Sequence, residues 1–315
     1  MYKALFDMKT TFIGLVLLAL LLMLPQFLPR FYVYLSALIF AIALLATSLN
    51  LVLGFGGMYQ FHHAVFYGFG AYAFALFATK SGLPLWLGYA IAPFFSAALG
   101  LVLGLITVRL NQLYFGMLQI SLGSLVWAIT YRWYSFTGGD DGIHGIPLPD
   151  LVGSSVGAYY FNLTVAAVCL LLMYAIVHSP FGRVFQGIRD NPERCRAIGV
   201  NVQRQQLVGQ TIAAFFAGVA GTLFVTVEGS VFPDLMFWTL SLEILIMCLL
   251  GGWFIFLGPA LGAAIIICLR TFAGIYTEYW TLILGLVLML LIFFLPEGVL
   301  GLFLHKAGPA ARRER

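Results

Sequence analysis

Apolar runs long enough to cross a membrane alternate with short polar interruptions along almost the whole chain. A helical span needs about 20 predominantly apolar residues. Runs of that kind cover 12–28, 33–53, a glycine-interrupted stretch ending near Lys80, 85–108, 114–133, 160–178, 207–227, 236–250, 255–274 and 279–295. The pattern predicts an all-α polytopic integral membrane protein of about ten transmembrane helices. The runs are continuous, whereas a transmembrane β-barrel alternates over segments of about ten residues. The 12–28 run is too long for a signal-peptide core and lacks a small-residue cleavage site, so it reads as a first span.

Two segments depart from the pattern, and both invite a broken helix. The first, 54–72, carries Gly54, Gly56 and Gly57, then Gln60, His62 and His63, then Gly68 and Gly70. The second, 251–265, carries Gly251, Gly252, Gly258, Pro259 and Gly262. Interrupted backbone at membrane depth is tolerated where protein or a water-filled cavity satisfies it. Small residues also let helices approach closely. A pathway-lining break and a tight helix contact are therefore both open. The two segments echo each other, too weakly to rest a fold on an internal repeat.

The longest polar run, Gly182–Val202, contains Arg183, Arg189, Arg194 and Arg196, with Arg204 just beyond, against Asp190 and Glu193. Lipid does not accept that charge density, and its cationic excess places it on the cytoplasmic side. Both termini fall on that side too, with Lys3, Lys9, Arg109, Lys306, Arg312, Arg313 and Arg315. The outer side receives Arg30, Lys80, Arg132 and Arg270. Within one membrane domain, 1–315, this gives a cytoplasmic loop at 179–206, an extracytoplasmic loop at 135–159 and a cytoplasmic tail at 296–315. Asn191 is placed to cap a helix starting at Pro192, and Gly199 to end it. A second helix over 183–189 flanks it. The loop serves either as a topology anchor or as a contact surface for something in the cytoplasm.

Composition agrees with the pattern. The 315 residues are 62% hydrophobic and 9% charged, where soluble domains carry roughly 25% charged residues. The net charge of +4 reflects loop bias; no basic-aromatic surface points to nucleic acid. Cys169, Cys195, Cys248 and Cys268 are isolated, so neither a metal cage nor a disulfide framework is implied. His62 and His63 are adjacent and point to different helix faces, which argues for buried hydrogen-bonded histidine rather than a metal pair. Glu243 lies inside a span and is a functional candidate by default, or an assembly pair. Asp140 and Asp141 read as a solvated turn or a docking point for an external partner. No constellation of catalytic groups is recognised, and no GxxxxGK[ST] run offers a phosphate cradle.

Six stretches in order carry a resemblance: LVLGFGGMYQFHHAVFYGFGAY, YFGMLQISLGSL, TGGDDGIHGIP, GRVFQGIRDNPERCRAIGVNV, LLGGWFIFLGPALGAAI and FLPEGVLGLF. Together they resemble the permease subunits of branched-chain amino acid ABC importers, in particular the second, M-type permease. Glu193 and Gly199 keep the spacing of that superfamily's E-A-A-x-x-x-G signature, with Arg194 and Cys195 replacing the alanines. The resemblance implies a multi-pass protein of the bacterial inner membrane. It implies as partners two ABC ATPase subunits, a second homologous permease in a heterodimer, a solute-binding protein and the lipid bilayer. ATP and Mg would sit on the ATPases, and this chain would bind no cofactor. Arg189, Asn191, Pro192, Glu193, Arg196 and Gly199 would couple to the ATPase. Gly56, Gly57, Gln60, His62, His63, Glu243, Gly251 and Gly252 are the candidates for the translocation pathway, and Asp140 and Asp141 for binding-protein docking. Similar permeases serve branched-chain amino acids, urea and short amides, or aromatic acids. Outside the family, a proton- or sodium-coupled carrier would need intramembrane acids, of which Glu243 is the lone in-span example. A membrane enzyme would need His, Asp or Cys groups converging at one depth.

Overall fold

The computed structural model describes residues 20–110 and 112–276, with isolated positions between 279 and 300. The chain termini, the predicted tenth span and most of the 296–315 tail lie outside the described residues. The described chain is helical throughout apart from its connections. In order it runs α1 (20–27), α2 (Arg30–Leu53), α3 (His63–Lys80), α4 (Leu85–Thr107), α5 (Gln112–Arg132), α6 (Tyr134–Thr137), α7 (Ser155–His178), α8 (Pro180–Asp190), α9 (Pro192–Ala197), α10 (Val202–Glu228), α11 (Trp238–Gly251) and α12 (Gly258–Tyr276).

Helices α2, α4, α7, α10 and residues 258–275 of α12 are long and apolar enough to cross a membrane. Helices α3 and α5 have 18 and 21 residues, and histidine, glycine, tyrosine and lysine dilute the hydropathy of α3. Helix α11 has only 14 residues, about 21 Å at helical rise, short of a hydrocarbon core of about 30 Å.

The bundle is built around α10, which packs on α4, α3 and α2. Apolar surface gives little drive for association between helices in lipid, so close backbone approach and polar cross-links matter more. Both are present. A Cβ on Gly70 of α3 would lie 2.5 Å from the Gly218 Cα of α10, so these two backbones touch. Ser96 of α4 donates towards the carbonyls of Phe66 (2.7 Å) and Ala214 (2.8 Å). Asn162 of α7 donates to Ala37 O and Leu223 O, both at 3.1 Å, tying α7 to α2 and α10.

The bundle has a basic end and an acidic end. Helices α8 and α9 lie at the basic end. At the other end, the only sheet among the described residues pairs β1 (Ile143–His144) antiparallel with β2 (Ser230–Val231), in the register Ile143 to Val231. It pins the connection between α6 and α7, 138–154, to the exit of α10; the expected 135–159 loop is shorter because α7 already begins at Ser155. A 3-10 turn at Gly139–Asp141 precedes β1.

Both glycine-rich segments interrupt helices, over shorter stretches than expected. The first break ends at His62, and α3 runs unbroken from His63 through Gly68 and Gly70. Gly68 and Gly70 are packing positions, set against Met236 and Gly218. The second break covers 252–257, and Gly258, Pro259 and Gly262 belong to α12. Pro259 is tolerated because it falls in the first helical turn.

Candidate functional site

The basic end carries a helix pair whose boundaries follow from its caps. Ser179 caps α8 through a hydrogen bond accepted from Gly182 N–H (3.3 Å), with Pro180 as the first residue. Asn191 then stops α8 and caps α9, its Oδ1 accepting from Arg194 N–H at 2.9 Å, with Pro192 first. Gly199 adopts φ +88 and donates to Arg196 O at 3.0 Å, closing α9 in the left-handed conformation that suits glycine. Asn191, Pro192 and Gly199 thus hold the shape of the pair.

Its inner face is apolar. Ile188, Cys195 and Val202 cluster together, and the Phe185 ring, 1% exposed, fills the space left by Gly56 and Gly209. Its outer face is charged. Glu193 and Arg196 form an exposed ion pair one turn apart, with Arg194 exposed beside them. Ile198, two residues after Arg196 in the chain, has 79% of its surface exposed, the most of any large hydrophobic residue described.

Arg189 differs from the other cations of the pair. Its side chain turns towards the membrane helices, where Nη1 donates to Gly54 O at 2.8 Å. Its Nε and Nη2 both reach Asp190 Oδ1 at 2.9 Å. The guanidinium lies 5.4 Å from the centre of the Phe254 ring. Gly57, at φ +67, packs on the Arg189 stem, where a Cβ would come within 2.7 Å of Cγ.

The two breaks meet at this end. A Cβ on Gly54 would lie 2.1 Å from Trp253 O, and Tyr59 and Phe55 of the first break face Trp253 and Phe256 of the second. Gly251 packs against Gly258 O, and Gly252 donates to Cys248 O at 3.0 Å. Deeper in, Gln60, His62 and His63 are all buried. His63 bonds Gln60 Oε1 through Nδ1 (2.9 Å) and Ser48 Oγ through Nε2 (2.8 Å). His62 packs edge-on to Phe66 beside Gln119, whose Oε1 accepts from Phe61 N–H at 2.9 Å. The Asn50 amide, next to Gly54, is buried without a hydrogen-bond partner among the described residues.

The remaining predicted residues lie elsewhere. Glu243 of α11 sits 3.9 Å from Arg270 Nη1 of α12, a cross-helix pair away from the breaks. Asp140 and Asp141 are exposed at the acidic end. Asp141 accepts from the Tyr134 hydroxyl, and this bond raises the phenol above its usual range. Also at that end, Tyr34, Ser154, Ser155 and Glu228 border a hollow of about 170 Å³. No group of three His, Cys, Asp or Glu residues among the described ones is arranged to hold a metal ion.

Ile198, Phe185 and Phe254 were not evident from the sequence. A usable signal existed for Ile198, the one large aliphatic residue between Asn191 and Gly199.

Residues 31–293 match the family model described as "Branched-chain amino acid transport system / permease component". The chain is 29% identical over 311 residues to the high-affinity branched-chain amino acid transport system permease protein LivM of Escherichia coli, covering 90% of this chain and 73% of that one. The Salmonella typhimurium protein of the same name is 29% identical over 284 residues, covering 82% and 67%. A probable branched-chain amino acid transport permease protein LivM from Methanocaldococcus jannaschii is 24% identical over 246 residues, covering 67% of each. No solved structure matches. With the match spanning most of its length, the chain belongs to the permease-component family of branched-chain amino acid transport systems, and it is a membrane permease rather than an enzyme.

Proposed function

We propose that this chain is one permease subunit of an ATP-driven importer in the bacterial inner membrane, moving branched-chain amino acids handed over by a soluble binding protein. The substrate class is carried over from the relatives' names. The proposed topology has ten spans and both termini in the cytoplasm, with α8 and α9 on that side. Two ATPases hold ATP and Mg, and a second permease completes the membrane part. The binding protein docks at the acidic end, where Asp140 and Asp141 are exposed.

The observation carrying this reading is the outer face of α8–α9. It presents an exposed apolar residue, Ile198, on the same short segment as the exposed Glu193, Arg194 and Arg196, on a helix pair anchored to the bundle by Phe185. An exposed apolar anchor inside a polar rim is the usual anatomy of a protein contact. The solute path runs beside the two breaks, past Gly56, Gly57, Gln60, His62, His63, Gly251 and Gly252. Glu243 faces Arg270, which favours assembly over an ion-coupling role and counts against a proton- or sodium-driven carrier.

Co-purification tests the proposal. Tagged chain should bring down a second permease and an ATPase, and loaded binding protein should raise hydrolysis. Full uptake by this polypeptide alone in ATP-free liposomes would contradict it.

A further inference from the structure

We infer that Arg189 is a positioning residue that links the α8–α9 pair to both glycine breaks, so that displacement of the pair reaches the two breaks together. The inference rests on the reading of α8–α9 as the ATPase contact.

Three contacts converge on one side chain. The guanidinium holds Gly54 O, at the C-terminal end of α2, at 2.8 Å. The carbonyls at a helix C-terminus have no partner within the helix and carry partial negative charge, so a cation bonds there favourably. The same guanidinium lies 5.4 Å from the ring centre of Phe254, in the second break, inside the range where a ring face attracts a cation. Gly57 of the first break is moulded on its stem. Asp190 takes Nε and Nη2, which fixes the plane of the fork and aims Nη1 at Gly54.

The other links between the pair and the bundle are of a different kind. Phe185 sits between Gly56 and Gly209 through apolar contact alone, which has no preferred direction and permits sliding. Gln186 donates to Val177 O (3.2 Å), at the end of the helix that directly precedes α8. Among the described residues, Arg189 to Gly54 is the directional bond from α8–α9 to α2. At the place it grips, Gly54 and Phe55 both donate to Asn50 O, at 2.8 and 3.2 Å, and the Asn50 amide beside them has no partner among the described residues. The break's other lateral bond, Phe61 N–H to Gln119 Oε1 at 2.9 Å, holds its far end, so among the described residues the Arg189 bond is the lateral hold on the end at Gly54.

Hydrogen exchange on the assembled complex in nanodiscs, with and without ATP, tests this. In the wild type, ATP should change exchange at 192–199, at 53–60 and at 251–257. In Arg189→Ala, the changes at 53–60 and 251–257 should fall at least fivefold while that at 192–199 stays within twofold. Arg189→Lys, which keeps a cation and a donor, should retain more than half of the wild-type change. Phe254→Leu should cut the change at 251–257 at least threefold and spare 53–60, and it decides the matter alone if Arg189→Ala does not assemble. Wild-type-sized changes at the breaks in Arg189→Ala, or at 251–257 in Phe254→Leu, would overturn the inference. Absence of any change at 192–199 in the wild type would overturn the ATPase-contact reading itself, and this inference with it.

Discussion

Truncating Ile198 separates docking from stability, because the residue is exposed in the isolated chain. Ile198→Ala removes three carbons. Each is worth about 0.8 kcal/mol on full burial, and 79% of the residue's surface remains to be buried by a partner. The loss on docking is therefore about 2 kcal/mol, and with about 1.4 kcal/mol per decade the ATPase affinity should fall about 20- to 30-fold. The folded chain itself loses almost nothing, since surface substitutions away from special features stay within about 0.5 kcal/mol. The assay is a titration of purified ATPase onto the permease in nanodiscs, with thermal unfolding of the permease measured alongside. A weaker Kd with unchanged unfolding supports the docking role. Unchanged affinity would refute it, and equal losses in affinity and stability would show that Ile198 supports the fold instead.

Gly70→Val should disrupt the α3–α10 contact, since a Cβ there would lie 2.5 Å from the Gly218 Cα and backbone cannot step aside as a side-chain tip can. A loss of at least 1–3 kcal/mol, the usual range for overpacking, should appear in detergent unfolding, whereas Gly274→Ala, in open space, should change little. Asn191→Ala should remove the cap of α9 at a cost of about 1 kcal/mol. Hydrogen exchange at 192–199 should then rise about fivefold, with the membrane helices unaffected.

The parts legible in the sequence are those set by neighbours along the chain. Asn191, Pro192 and Gly199 mark the ends of α9 because capping depends on residues three or four positions apart, and the structure places them as the spacing suggests. The positions of the spans at α2, α4, α7, α10 and α12 were legible for the same reason: hydropathy is a running local sum. Glycine was ambiguous, since one residue type serves both to open a helix and to bring two together. Gly54, Gly56 and Gly57 lie in a break, while Gly68 and Gly70 lie in a packed helix face. The bond from His63 to Gln60 spans three residues, but that to Ser48 depends on how α2 lies against α3. The inward turn of Arg189 was not legible at all. Its partner Gly54 is 135 positions away, and a cation in a basic loop reads as solvent-facing until the fold brings a helix end beside it. Ile198 was missed for the opposite reason: an apolar residue reads as core, and only its position beyond the last turn of α9 leaves it outside.

Sidedness of the α8–α9 pair is the claim on which the rest depends. Cys195 is buried against Ile188 and Val202 and makes a poor reporter, so the measurement uses Ile198→Cys with a membrane-impermeant maleimide. The account predicts no labelling in intact cells, labelling in inside-out vesicles stripped of peripheral proteins, and protection when the ATPase is added back. Labelling of Ile198→Cys from outside intact cells would contradict it.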